Sequence, residues 1–411
     1  MKTAIDHSPS TLAFWRRLAH RALGECTPTP FFLISVEPIR EALAELEARD
    51  FGLPVTHWLS CKTLPMAPLL RWWRGQGRPI EIVSEFELLA ALREGFEPEQ
   101  ILINGPAKHR WLPKHARRGL LVNFDSRAEL DALLPLAKKL DWRVGIRCFT
   151  REEFDPENPQ CPTQFGFEFD ETVKAISKLK RSSVKVETVH FHLRTNVASH
   201  VSFERAIAEV AAICAKAKFA PRHLDCGGGL PVRHTLSRGG RPFDAEFSLD
   251  ALALMYRRAV KQFPGARELW LENGRFLSAG SGALVVKVLD VKSRRELRQL
   301  ICDGGRTMNA LVSNWEQHEL LMLPGRKGPR VPTAVYGPTC MAFDQLARRP
   351  LPKGIRPGDH LAWLEAGAYH IPWETHFSHG LAAVVWHENG KLTLARQAET
   401  FDEWWGRWRR A

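Results

Sequence analysis

Between about residue 30 and residue 270, short apolar or β-branched runs alternate with longer stretches whose apolar positions recur every three or four residues. The short runs are "VTHWLSC" (55–61), "IEIVS" (80–84), "ILING" (101–105), "LLVNF" (120–124), "RVGIRC" (143–148), "VETVHFHL" (186–193), "RHLDCGG" (222–228) and "ELWLENG" (268–274). Such mostly apolar runs suit parallel strands, which helices cover on both faces. The stretches between them read as those helices. "SRAELDALLPLAKKL" (126–140) opens on a Ser cap with Glu three residues on, and "SFERAIAEVAAICAKAK" (202–218) keeps one apolar face. Eight strand–helix pairs match a closed (β/α)8 TIM-type barrel better than an open sheet.

After about residue 280 the texture turns to strands and turns: "GALVVKVLDVKS", "PTAVYGPT", "DHLAWLEAGAY" and "LAAVVWHENGKLTLAR". The last carries Asn-Gly between two apolar runs, a hairpin signal. The expected class is therefore α/β, with the barrel over 31–278, a C-terminal β-rich domain (barrel or sandwich) over 279–411, and residues 1–30 packed with the latter. There is no internal repeat, and the aromatic, basic tail "DEWWGRWRR" (402–410) is too short to assign.

Composition changes this picture little. At 411 residues, 44% hydrophobic and 25% charged, the chain has enough apolar surface for a large core. No apolar run approaches the ~18 residues of a membrane span, and the N-terminus has no secretory pattern, so a soluble, cytoplasmic protein with no membrane role is expected. Cys26, Cys61, Cys148, Cys161, Cys214, Cys226, Cys302 and Cys340 form no CxxC pair, which argues against a disulfide framework and a metal site. The net charge of +12 is dispersed in short clusters, so no nucleic-acid partner is expected.

Reactive groups of a (β/α) barrel sit at the C-terminal ends of its strands. Lys62 follows "HWLSC", Glu81 lies in "IEIVS", His192 ends "VHFH", Gly227, Gly228 and Gly229 follow "HLDC", and Glu272, Gly274 and Arg275 lie in "ENGR". Singly, each has a plainer reading: a solvated lysine, a core histidine, a tight turn. Together they suit a phosphorylated aromatic aldehyde: an amine to form an imine, a carboxylate for a pyridine nitrogen, a flat imidazole for the ring face, and bare backbone with a guanidinium for phosphate. Pyridoxal 5'-phosphate (PLP) makes all four demands.

In this order the motifs resemble the ornithine/diaminopimelate/arginine decarboxylase family of PLP enzymes, from "TPTPFFLIS" (27–35) to "FSHG" (377–380). The resemblance implies a fold-type III barrel with a β domain and a homodimer with shared active sites. It makes Lys62 the imine lysine, His192 the ring-stacking residue and Glu272 the partner of the ring nitrogen. Glu81, Thr195, Gly227, Gly228, Gly229, Gly274, Arg275 and Tyr369 become cofactor contacts. In "GPTCMAFD", Cys340 becomes the acid that returns a proton to Cα.

The departures concern substrate. Met341 stands where diamine-forming relatives carry an acidic residue, and Leu311 where diaminopimelate decarboxylases carry an arginine; Asp303 remains as an acidic substrate contact. Arg194 replaces a small glycine and adds a cation, and Gln164 replaces a lysine that pairs with the aspartate matched by Asp344 across the dimer. The reading that follows is a decarboxylase of a non-standard amino acid with an anionic distal group or carried by an acidic acyl carrier protein, in a specialised biosynthetic pathway. The alternatives are a diaminopimelate-, ornithine- or lysine-type decarboxylase of primary metabolism, a racemase on the same barrel, and a catalytically silent regulator.

Overall fold

The computed structural model describes residues 5, 7–155 and 158–409. Residues 1–4 and 6 of the expected N-terminal segment, and 410–411 of the tail, lie outside the described residues. The chain divides into two compact units. A barrel unit comprises Leu43–Pro231 and Glu246–Phe276, and a sheet unit comprises Met1–Ala42, Val232–Ala245 and Leu277–Ala411.

Eight parallel strands close the barrel: β1 (Val55–Ser60), β2 (Ile80–Ile82), β3 (Ile101–Ile103), β4 (Leu121–Phe124), β5 (Arg143–Arg147), β6 (Lys185–His190), β7 (His223–Asp225) and β8 (Glu268–Asn273). Each pairs with its sequence neighbour, and β8 returns to pair with β1. These are the eight runs read from the sequence. β2, β3 and β4 are buried along their whole length, as strands covered on both faces must be. Serine caps start the surrounding helices. Ser84 and Ser126 accept from the amides of Glu87 and Glu129 three residues on. The helix His200–Lys216 starts two residues earlier than expected because Ser199 takes the cap and accepts from Val201 N.

Trp58, Leu102, Leu121 and Trp270 form a core cluster within the barrel unit. His223 stacks on Trp270 at 4.3 Å between ring centroids, and Arg143 donates to its Nε2 at 3.2 Å. His57 accepts from Asn273 Nδ2 at 2.9 Å. A ring nitrogen that accepts carries no proton, so both histidines are held neutral.

In the sheet unit, strand Phe31–Ser35 pairs antiparallel with Gly282–Arg294 and parallel with Ala383–Glu388. Residues 31–42 thus belong with the sheet, where the sequence reading had started the barrel. Helix Pro9–Glu25 buries Trp15, Leu18, Ala19 and Ala22 against Phe31, Val285 and Leu321. The Asn-Gly hairpin forms as expected: Asn389 and Gly390 take φ of 50° and 75° between Ala383–Glu388 and Lys391–Arg396, the pair of positive φ values that a two-residue hairpin loop needs. The tail makes a short helix, Phe401–Gly406, started by a Thr400/Glu403 capping box. All eight cysteines are free, and no helix among the described residues is long and apolar enough to cross a membrane.

Burial lowers the pKa of His57 and of His223 from 6.5 to about 4. The unfolded chain therefore takes up these protons first as pH falls, so the stability they hold is complete above pH 6.5 and lost progressively toward pH 4. The loss amounts to roughly 3 kcal/mol per ring. Urea unfolding at pH 7.5, 6 and 5 should show this decline, and His223→Gln should flatten its share of the slope; a parent whose stability is level across that range contradicts the burial argument.

Candidate active site

One set of polar residues that face one another within the barrel unit lies at or near the C-terminal ends of strands. After β1 the chain makes a single 3-10 turn, Cys61–Thr63, closed by Thr63 Oγ1 donating to Ser60 O at 2.9 Å. This turn presents Lys62, whose side chain is one-third exposed and donates from Nζ to Glu81 Oε2 at 2.8 Å. Glu81 itself is 1% exposed on β2, so removing the lysine would strand a buried charge.

Two asparagines connect Glu81 to two further carboxylates. Asn104, just past β3, donates from Nδ2 to Glu81 Oε1 at 3.3 Å and makes a shorter bond to Glu272 Oε1. Asn123 on β4 donates to Asn104 Oδ1 at 2.9 Å and to Asp225 Oδ2 at 3.0 Å. A Cβ at Gly145 on β5 would overlap Asn123 Oδ1, so only glycine leaves room for that amide. Asn104 is held from behind: Lys108, fully buried, pairs with Glu129 at 2.8 Å and also donates to the Gly105 carbonyl.

Glu272 on β8 lies 3.2 Å from His190 Nε2 and 3.8 Å from His192 Nδ1. Burial works against its ionisation, but the contact with His190 outweighs it and holds the carboxyl well below the usual range. Asp225 moves the other way, raised well above its ordinary value by burial and by the neighbouring Glu272 charge. Of these two buried acids, Glu272 is the one whose ionisation is favoured. Burial pushes His190 down, toward the neutral ring. His192 is more open, with a side chain 29% exposed, and accepts from Gly228 N at 3.1 Å. That bond fixes its hydrogen on Nε2, and the 3.8 Å gap to Glu272 is too long for a hydrogen bond.

The glycine loop differs from its expected form. Two of its three amides are already used: Gly227 N donates to Asp225 Oδ1 and Gly228 N to His192 Nδ1. The glycines are needed for close approach. A Cβ would overlap the Glu272 carbonyl at Gly228 and the Arg194 carbonyl at Gly229, and would lie 2.6 Å from Phe191 O at Gly227. Gly227 and Gly229 also take φ of 61° and 89°, in the left-handed region.

Arg194 does not add an uncommitted cation. Its Nη1 donates to Glu152 O at 2.8 Å and its guanidinium lies 4.1 Å from the Phe154 ring centroid. Thr195 is exposed in the loop after β6. Gly274 packs on Thr63, where a Cβ would lie 2.6 Å from its Cγ2, and Arg275 opens the short helix Arg275–Ser278.

The remaining candidates belong to the sheet unit. Cys340 is exposed and Met341 half-buried. Leu311 is buried. Asp303 is engaged within its own unit, accepting from Thr29 Oγ1 at 2.6 Å and Lys287 N at 2.7 Å. Asp344 is likewise buried and accepts from Arg306 N, Thr339 N and Thr339 Oγ1, bonds that tie its own unit together, while Gln164 is exposed. Tyr369 packs beside Val232, Ala279 and Ala368. The sequence reading assigned no role to Asn104, Asn123, Asp225 or His190. The available signal was a polar residue within or just after an otherwise apolar strand.

Residues 39–279, more than half of the chain, match the family model for the pyridoxal-dependent decarboxylase, pyridoxal binding domain. The diaminopimelate decarboxylase of Aquifex aeolicus is 27% identical over 342 residues, 79% of each chain. That of Deinococcus radiodurans is 29% identical over 391 residues, 92% of this chain and 95% of its own. The fold is similar to that of Helicobacter pylori diaminopimelate decarboxylase complexed with L-lysine, with a TM-score of 0.82 at 22% identity over 94% of this chain and 98% of the other. The lysine/ornithine decarboxylase of Vibrio vulnificus complexed with cadaverine gives 0.77 at 19% identity over 91% and 98%. With a family match covering most of the barrel and relatives spanning nearly the whole length, the chain belongs to the pyridoxal-dependent decarboxylase family.

Proposed function

We propose that this chain removes the α-carboxyl group of an amino acid with PLP bound at Lys62, and that a diamino dicarboxylic acid of the diaminopimelate type is the first substrate to test. One observation carries the reading: a partly exposed lysine amine and a buried, ionised carboxylate share one end of the barrel, joined through Glu81 and Asn104. The residues fit the cofactor. Lys62 supplies the amine, half-open His192 a flat face, Glu272 a carboxylate, and the glycine loop a surface stripped of side chains. When bound, PLP supplies an aldehyde carbon and a ring that accepts the electrons of the broken Cα–CO2 bond.

The chain's own groups do the rest. Glu81 holds the Lys62 ammonium in place, and Asn104 keeps Glu81 and Glu272 from repelling one another at close range. Asn104 and His190 occupy Glu272 Oε1, leaving Oε2 to accept from a protonated ring nitrogen. Burial and the Glu272 charge disfavour a second negative charge on Asp225 beside it. By resemblance, Cys340 returns the proton to Cα, in a homodimer where this exposed thiol reaches the barrel of a second copy.

The names of the relatives favour the diaminopimelate-type substrate. For a specialised-pathway substrate, Arg194 is already held by the Glu152 carbonyl and the Phe154 ring, and nothing in the relatives' names favours a carrier protein. A different distal group remains the second reading on one observation: apolar Leu311, 3% exposed, and Met341 stand where relatives bind the substrate's far end with charge.

Borohydride reduction of the PLP-loaded protein should label the peptide containing Lys62, and Lys62→Ala should lose both label and CO2 release; a label on another lysine overturns the assignment. Glu272→Gln should keep the label while CO2 release falls about 100-fold or more, the usual scale for losing one preorganised electrostatic partner. In a panel of meso-diaminopimelate, lysine, ornithine and arginine, the first should release CO2 fastest. If it is no better than the others, the second reading replaces the first; no release from any amino acid rejects the decarboxylase.

A further inference from the structure

The described residues contain two groups of three or more buried histidines and carboxylates close enough to share a metal ion. The first, His190, Asp225 and Glu272, belongs to the site above. The second is Glu316, His318 and His370, wholly within the sheet unit and unused by the decarboxylase reading. We propose that this second set binds one divalent first-row transition ion of the zinc class. The sequence reading expected no metal site, and the ligand spacing here, two residues and then fifty-two, carries no recognisable motif.

The hydrogen positions supply the argument. His318 Nδ1 lies 2.6 Å from the Leu364 carbonyl. A carbonyl only accepts, so the ring hydrogen is on Nδ1. The other nitrogen, Nε2, lies 2.9 Å from Glu316 Oε2. In a neutral imidazole that nitrogen presents a lone pair, and it faces a carboxylate oxygen that presents another. A positive species must sit between them, either a proton or a metal ion. The third donor favours the metal. His370 meets the His318 ring edge-on, with centroids 5.3 Å apart and planes at 78°, and one atom from each of the three residues falls within 4.8 Å of the others.

Ligand chemistry narrows the ion. Two imidazoles and one carboxylate form a donor set that zinc uses, with a fourth position left open. The set has too few oxygens for calcium or magnesium and no thiolate for copper(I). Glu316, His318 and His370 are 5%, 0% and 1% exposed, and the Nδ1–H to carbonyl bond is the usual outer contact that orients a metal-binding histidine. Access exists as well. Glu316 and His318 line a cavity of about 210 Å³ together with Ser313, Gln345 and Arg349, and its basic lining favours an anion as fourth ligand.

The test uses the untagged full-length, PLP-loaded protein, stripped with chelator and dialysed against zinc. One zinc per chain should be retained, magnesium should not compete, and cobalt(II) should give a visible ligand-field spectrum of nitrogen and oxygen donors. His370→Gln and Glu316→Gln should each weaken zinc binding by more than about 100-fold, beyond the loss typical of an outer-contact residue, with circular dichroism and PLP absorbance unchanged. A parent that holds no zinc after dialysis overturns the proposal, as do two folded variants that hold it like the parent. Should both variants unfold, a parent cobalt spectrum with sulfur charge-transfer bands overturns it, and one with only nitrogen and oxygen donors upholds it. None of these outcomes depends on decarboxylation.

Discussion

Carboxylates set a few ångströms apart where water is excluded cannot all keep their charge, and the barrel unit gathers Glu81, Asp225 and Glu272 at one end. The fold answers this in three ways. Lys62 neutralises Glu81 directly. Burial and the Glu272 charge disfavour ionisation of Asp225. The amides of Asn104 and Asn123 lie between the acids and donate to all three. The negative charge that this arrangement favours is the one on Glu272, placed beside His190 and His192. The chemistry proposed for the site depends on that charge staying where it is.

Keeping it there needs rigid backbone around the acids. The buried Lys108–Glu129 pair fixes the turn after β3, and with it Asn104. Such a pair contributes little net stability once desolvation is counted, so its value here lies in position. The glycine loop does the same from the other side, bringing its backbone against the carbonyls of Glu272 and Arg194 and its amides onto His192 and Asp225. Every strand of the barrel except β5 thus places its end, or the turn after it, directly in the network, and β5 takes part by lacking a side chain.

The barrel was legible because buried parallel strands leave apolar runs that punctuation separates clearly. Lys62 and Glu272 were legible because charge at a strand end stands out against such a run. The amides were not: Asn104 in "ILING" reads as a turn residue, and its partners come from strands about twenty residues away or, for Glu272, across the barrel closure. Arg194 shows the reverse. Its charge was visible, but its contacts, the Glu152 carbonyl and the Phe154 ring, are forty residues upstream. Asp303 and Asp344 show the same limit, since a sequence does not reveal whether a carboxylate is already engaged within its own unit. Strand Phe31–Ser35 was placed in the wrong unit because an apolar run does not say which sheet it joins.

Gly145 carries a consequence for how this barrel can change over evolutionary time. A Cβ there would meet both the Asn123 amide and Thr188 Cβ, so the position cannot gain a side chain alone. Room would have to open on β4 and β6 together, and a smaller residue at 123 would remove the donor to Asp225. In descendants of this sequence Gly145 can therefore diverge only after both neighbours have changed.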